Sequence, residues 1–330
     1  MLAYGDEPMI ADAIHAVGRS HGVTVSLVVV DNGCSRSDLD AVCRVAGAEL
    51  VRPERNLGFT GGVNLGATHV HAQYLALVNS DAVVQADALA RLVAVAAEPS
   101  VGIATGSIRL AEAPGTINSA GNPVHFLGLC WAGGLGEPAV EHSTAADVAA
   151  ASGAGLVLRR EVWGRLGGFP AEFFAYQEDL ELSWRAWQSG LRVRYVPDAV
   201  VAHDYEFSRN PLKMYLLERN RLLFVLTCYG SRTLLLLAPI VALFEIVMVA
   251  VAANQGWGRQ KLRGWGWVLR HSGWIRARRR TVQAARTVSD RALVHLWADR
   301  FDAAAMPLPS WTSPLQTLLA GYWRVVRRAL

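Results

Sequence analysis

Phe173-Phe174-Ala175-Tyr176-Gln177-Glu178-Asp179-Leu180-Glu181-Leu182-Ser183-Trp184-Arg185 is the stretch on which the reading of this chain turns. An aromatic run ends in two adjacent carboxylates, and Leu180, Trp184 and Trp187 follow at helical spacing. Acidic residues at a helix start serve as caps or complement the helix dipole. Two neighbouring carboxylates also repel, which raises one pKa toward useful basicity. The pair is thus a candidate general base as well as a candidate cap, and the upstream sequence has to decide.

Upstream, Val23 to Val30 is rich in β-branched residues and nearly continuous in apolar character, as a strand of a buried parallel sheet is. It ends in Asp31-Asn32-Gly33, a carboxylate at a strand end, where open α/β sheets bind ligands; a plain turn former is the other reading of Asp31. A second short strand, Ala48 to Val51, precedes Asn56-Leu57-Gly58-Phe59-Thr60-Gly61-Gly62-Val63-Asn64-Leu65-Gly66. Its glycines resemble a loop that lets the backbone approach a phosphate. It fits neither G-x-G-x-x-G nor the Walker A pattern, which argues against dinucleotide and P-loop sites. A third strand, Tyr74 to Val78, runs into Asn79-Ser80-Asp81, again a terminal carboxylate of the kind a hard cation on a diphosphate needs.

Asp87 to Ala97 reads as a helix and Val101 to Leu110 as a strand, so the alternation predicts a doubly wound α/β domain. Residues 112 to 150 are loop-like. Ser152 to Arg160 reads as a strand opening on small residues, Glu161 to Leu166 as a short helix, and Leu191 to Val196 as a strand. Val200-Val201-Ala202-His203 follows; His203 is either a core histidine or a metal ligand.

These pieces, in this order, resemble the family 2 inverting glycosyltransferases of the GT-A fold, in particular the bacterial rhamnosyltransferase-like branch. The resemblance rests on Val-Val-Val-Asp31-Asn-Gly, the 56–66 stretch, Leu-Val-Asn79-Ser-Asp81, Ser152 to Phe169, the Glu178–Asp179 stretch through Arg185, and Val-Val-Ala-His203, and it covers roughly residues 1 to 230. It implies that Asp31 reads the nucleobase of a nucleotide-sugar, with Ala3, Tyr4, Asn56, Gly58, Gly61, Asn64, Asn79 and Arg185 also on the donor. It implies Mg²⁺ or Mn²⁺ on the diphosphate at Asp81, with His203 as a further ligand. Asn79 stands where the usual D-x-D has its first acid. Spacing does not choose between Glu178 and Asp179; the resemblance points to Asp179 as the base that deprotonates the acceptor. Only Met1 to Pro8 represents the family's first strand, which leads us to expect further apolar residues upstream. The rival reading is a catalytically silent nucleotide-sugar-binding or scaffold protein at the membrane.

The chain is 52% hydrophobic with mean hydropathy +0.22, high for a soluble enzyme, which suggests a membrane segment. Its four cysteines show no metal spacing and read as reduced thiols. We expect a catalytic domain over 1–230 and a membrane-associated region over 231–330. Phe207 to Pro211 leads into a helix carrying Arg219-Asn220-Arg221, read as solvated charge or as a contact with a diphosphate. Thr233 to Ala253 has one charge, Glu245, and is long enough to span a bilayer. From Ile246 to Ser289 there is no acidic residue, and nine cations interleave with Trp257, Trp265, Trp267 and Trp274, as at an interface on an anionic cytoplasmic leaflet. With both flanks favouring the cytoplasm, we expect a re-entrant or interface-lying helix broken near Pro239, with a single span as the alternative. Leu315 to Leu330 is a further candidate amphipathic anchor. Partners are therefore a nucleotide-sugar donor, a lipid-linked or glycan acceptor and membrane lipids, at the cytoplasmic face of the plasma membrane. Nucleic acid is not among them, because no recognition fold accompanies the basic patch.

Overall fold

The computed structural model describes residues 1–204, 210–302 and 313–330. The chain forms two compact units: Met1–Asn122, Ala132–Ala186 and Leu191–Glu206 make the first, and Pro123–Trp131, Trp187–Gly190 and Phe207–Leu330 the second.

The first unit opens with β1 (Leu2–Gly5), α1 (Ile10–Gly18), β2 (Val28–Cys34), α2 (Leu39–Ala46) and β3 (Glu49–Val51); the three strands form a parallel sheet in the order β1-β2-β3. Val28, Val29 and Val30 are all buried, because both faces of β2 are covered. Ile10, Ala13, Ile14 and Val17 form the inward stripe of α1 at the spacing an amphipathic helix requires. Helix α3 (Gly58–His69) packs on β1 and β2 through its glycines. A Cβ on Gly62 would lie 2.3 Å from Leu2 Cδ1, so the absent side chain serves helix–strand approach.

Next come β4 (Tyr74–Val78), β5 (Ala82–Val84), α4 (Ala88–Ala96), β6 (Val101–Leu110), β7 (Ala113–Ser119), β8 (Val124–His125, in the second unit), β9 (Ala146–Asp147), β10 (Gly155–Arg159), α5 (Arg160–Leu166), α6 (Glu178–Gln188) and β11 (Arg192–His203). Their sheet runs β4-β10-β6-β11-β5, with β7 beside β6 and β9 beside β11. It is mixed: β11 is parallel to β6, but β10 is antiparallel to both β4 and β6. The parallel winding expected from the sequence therefore ends after β3, and residues 112–150 contribute strands where a loop was expected. Among the described residues, β1 pairs only with β2, and β4 only with β10. Met1, Leu27, Val28, Tyr74, Ala76 and Val157 line a cavity of about 310 Å³ on that side of the sheets.

The second unit is helical: α7 (Pro211–Cys228), α8 (Ser231–Asn254), α9 (Gly258–Arg270), α10 (Ser272–Ala285), α11 (Asp290–Leu293) and α12 (Ser313–Ala329), with β12 (Trp297–Ala298) parallel to β8. Asn210 caps α7 by accepting from the Lys213 amide at 2.8 Å, and Pro211 fits the first turn. The lead-in at 207–209 lies outside the described residues. Three sequence expectations are corrected here. Arg219 and Arg221 are neither solvated nor open to a diphosphate. Arg219 stacks on Trp267, and Arg221 is locked to Glu218, Glu245 and the Leu127 carbonyl. Helix α8 runs unbroken through Pro239. The tryptophans of the basic stretch turn inward: Trp257 is buried, Trp265 donates to Glu245 at 2.5 Å and Trp267 stacks on His271. Trp323 is likewise buried, stacked 4.9 Å from Phe126.

Candidate active site

The candidate residues of the first unit gather at strand ends and helix starts. Asp31 lies near the end of β2. One carboxylate oxygen accepts from the amides of Cys34 (2.9 Å) and Gly33 (3.2 Å), the other from Arg52 Nε at 3.0 Å. Burial pushes its pKa up, but these amides and the guanidinium outweigh burial and hold it below the usual carboxylate range. Tyr4 is largely exposed beside Gly33, whereas Ala3 is buried in register with Asp31. The sequence offered no signal for Arg52, which also grips Asp40.

Asn32, one residue on, organises the glycine-rich stretch. Its amide nitrogen donates to Asn56 Oδ1 (2.9 Å) and the Gly58 carbonyl (3.2 Å), and its oxygen accepts from the Leu57 amide at 2.8 Å. From there the contacts lead to the carboxylate-bearing turn. Thr60 N donates to the Phe174 carbonyl at 3.1 Å, and Asn64 exchanges two hydrogen bonds with the Phe169 backbone. A Cβ on Gly58, which sits at φ 70°, would come within 2.4 Å of the Phe174 carbonyl. Asn56, Gly58, Gly61 and Asn64, expected on the donor, thus make contacts inside the protein: Gly61 faces Leu57, and the others hold the turn or its neighbours. Arg185 is similarly engaged, with Glu181 at 2.6 Å and the carbonyls of Leu166 and Gly168.

That turn is strained. Phe174, Tyr176 and Gln177 all have φ between 64° and 70°, costly for residues with side chains and sustained only by surrounding contacts. It delivers Glu178 and Asp179 at the start of α6. Asp179 is partly exposed; its oxygens accept from the amides of Gly153 (3.1 Å) and Leu180 (2.8 Å). Glu178 is buried, and its Oε2 has no hydrogen-bond partner. Burial, and then the neighbouring Asp179 charge, push Glu178 up to about 8; burial raises Asp179 as well. The two carboxyls titrate as a pair, with Glu178 the one raised to about 8.

Residues 153–154 join this pair to the end of β4: Gly153 donates to Asp179, and the Ala154 carbonyl accepts from Asn79 N at 3.3 Å. Beyond Asn79, Asp81 Oδ1 lies 3.2 Å from His203 Nε2, and the other His203 nitrogen meets Asn118 Oδ1 at 3.0 Å. Asn118 falls in the stretch that was unreadable from sequence. Asp81 Oδ1 is buried without a well-formed hydrogen bond. A buried carboxylate oxygen beside an imidazole fits a divalent cation. Among the described residues no group of three or more His, Cys, Asp or Glu converges on one point.

Comparison with known proteins bears on the family and the fold. Over 186 residues the chain is 29% identical to the pre-mycofactocin glycosyltransferase of Mycobacterium tuberculosis, covering 54% of the chain and 37% of that protein. Over 52 residues it is 42% identical to the N-acetylglucosaminyl-diphospho-decaprenol L-rhamnosyltransferase of the same organism, covering 16% and 17%. The chain thus spans well under half the length of the curated relatives it matches. Likeness at the level of fold extends to GalNAc-T7, solved with UDP, GalNAc and Mn²⁺, with TM-score 0.54 at 16% identity over 70% of this chain and 48% of that one. Residues 2–224 match the family described as glycosyltransferase like family 2, and the chain belongs to that family, with a GT-A fold.

Proposed function

We propose that the protein catalyses inverting transfer of a sugar from a nucleoside diphosphate to a hydroxyl of a lipid-linked or cell-wall glycan acceptor, with Asp179 as general base. The observation that carries this reading is the contrast within the carboxylate pair. Glu178 is buried and its carboxyl is pushed up to about 8, while Asp179 is partly exposed and fixed by two backbone amides. Inversion is a single in-line displacement, which needs a base on the acceptor side and no enzyme nucleophile. Asp179 takes the acceptor proton as the new glycosidic bond forms, and the nucleoside diphosphate leaves. Glu178 beside it, raised by burial, resists carrying a second negative charge.

Asp31 reads the base edge, with Arg52 and two amides fixing its carboxylate and Tyr4 beside it. Asp81 and His203 would hold Mg²⁺ or Mn²⁺; that ion, when bound, neutralises the leaving diphosphate. The decaprenol-linked acceptor and the L-rhamnosyl transfer in one relative's printed name support a lipid-linked acceptor class and make deoxythymidine-diphosphate rhamnose the first donor to try. A membrane-linked acceptor agrees with the apolar helix α8 and with action at the cytoplasmic face of the plasma membrane.

The test is nucleoside-diphosphate release from a panel of nucleotide-sugars, with Mn²⁺ or with chelator, in the presence of membrane lipid extract. One donor turned over in a metal-dependent way supports the reading. Tight donor binding with no release across all donors and acceptors refutes it in favour of a silent binding protein.

A further inference from the structure

We infer that the second unit docks on an anionic lipid bilayer through the outward face of α8, the helix lying in the plane of the interface instead of crossing it. The inference deepens the membrane-acceptor part of the reading above and rests on it, but not on the identity of the sugar.

Helix α8 is long and apolar enough to cross a membrane by length and composition, yet only 28% of its most apolar window is buried. A core helix of a soluble unit would have that surface covered. Leu235, Leu243 and Ile246 are exposed, and with Pro239 they follow one another at steps of four, four and three, a single stripe on one side of the helix.

The one charge between Thr233 and Ala253, Glu245, points the other way. It is tied to Arg221, to Lys261 at 2.8 Å and to Trp265 at 2.5 Å, and Lys261 and Arg221 in turn hold Glu218. These partners lie on α7 and α9. A spanning α8 would either drag four buried charges into hydrocarbon or break the set, and both are costly. A helix lying flat keeps Glu245 on its protein side and gives only its apolar stripe to lipid.

Charge identifies the partner. Among residues 246–289 no acid offsets nine cations, and Arg259, Arg263, Arg270, Arg276 and Arg280 are exposed. Helix α12 packs on α8, with Tyr322 donating to the Leu236 carbonyl at 2.6 Å. It repeats the chemistry with exposed Leu318 and Val325 beside exposed Arg324, Arg327 and Arg328. Apolar side chains and exposed arginines together fit an anionic bilayer surface, where each cation near the surface adds attraction and salt weakens it.

The experiment adds the full chain to preformed, sealed vesicles of phosphatidylcholine with or without phosphatidylglycerol, and measures co-flotation. The wild-type protein should float with the anionic vesicles, less so at high salt, and the double variant Leu243→Glu/Ile246→Glu should bind more than about tenfold more weakly. Because both positions are exposed, its melting midpoint should match wild type; Leu235→Glu is the second variant. Cysteines placed by Ser231→Cys and Asn254→Cys should both react with a membrane-impermeant maleimide added outside, over the wild-type background. The inference is overturned by wild-type protein that floats with neither vesicle, by Glu variants that bind like wild type, or by protection of one helix end. It is equally overturned if light scattering shows the Glu variants only splitting a dimer. Donor turnover without lipid, measured on the same samples, reports separately on the active-site reading.

Discussion

At the start of α6, Glu178 and Asp179 stand side by side with no ion pair among the described residues; between α7, α8 and α9, Glu218 and Glu245 share Arg221 and Lys261. Both groups are largely removed from water, and they are resolved in opposite ways. In the helical set every carboxylate has a cation, and the attraction of Arg221 and Lys261 outweighs burial to hold Glu245 at about 2. In the α6 pair burial acts unopposed by any cation, so one carboxyl keeps its proton near neutrality. The first arrangement fixes helices to one another. The second leaves a carboxylate poised to take a proton, at the end of a backbone turn held in an unfavourable conformation. Uncompensated buried charge marks chemistry here, and compensated buried charge marks architecture.

The largest effect that could break this contrast is at the base. Asp179→Asn should lower nucleoside-diphosphate release coupled to transfer by about 10²–10⁴-fold with donor affinity little changed, checked by turnover and titration calorimetry. Next comes the helical set. Lys261→Met leaves Glu218 and Glu245 short of a cation and should destabilise by about 3–5 kcal/mol, read by chemical denaturation, while turnover of the folded protein persists. Gly58→Ala tests whether the glycine-rich stretch acts through the turn. Its methyl group would collide with the Phe174 carbonyl. Turnover should fall about 10²-fold, with donor affinity retained. A large loss of donor affinity instead would return Gly58 to the donor site.

Glu178→Gln sharpens the contrast through pH. Glu178 is raised from 4.5 to about 8 on folding, so between those values the folded state binds more protons than the unfolded one. Stability must then fall as pH rises through that window, and the penalty is complete above about 8. Glu178→Gln should therefore melt higher than wild type at pH 9, with the gap closing toward pH 5; an unchanged gap contradicts the assignment. The smallest effect is expected at Asn79→Asp, which should tighten Mn²⁺ binding several-fold in electron paramagnetic resonance titrations by adding a carboxylate near Asp81.

Much of the first unit was legible. Val101 to Leu110 forms a strand over the full expected range, and Tyr74–Val78 and the Glu178 helix start fall where period and punctuation put them. Local rules governed those segments: β-branched runs, a helical apolar stripe, glycine breaks. What local rules do not carry is pairing. Strand β10 runs antiparallel between β4 and β6, and no feature of Gly155–Arg159 announces its direction. The glycines of 58–66 were read by composition as a phosphate loop, whereas their neighbours Leu2, Leu57 and Phe174 are set by tertiary packing. Arg52, Asn118 and Ser183 support Asp31, His203 and Asp179 from 12 or more residues away or through backbone contacts, which a linear motif does not encode. In the second unit the tryptophans misled for the same reason: Trp265 and Trp267 have inward partners, and the large apolar residues left exposed are aliphatic, among them Leu235, Ile246 and Val325.

The most direct test of the central claim is to melt Asp179→Asn alongside wild type at neutral pH and measure nucleoside-diphosphate release on the same preparations. If the α6 pair is held for chemistry at the expense of stability, the variant melts at the same temperature or higher while release collapses. A variant that melts lower yet still releases nucleoside diphosphate at the wild-type rate would make Asp179 a structural cap and contradict the account.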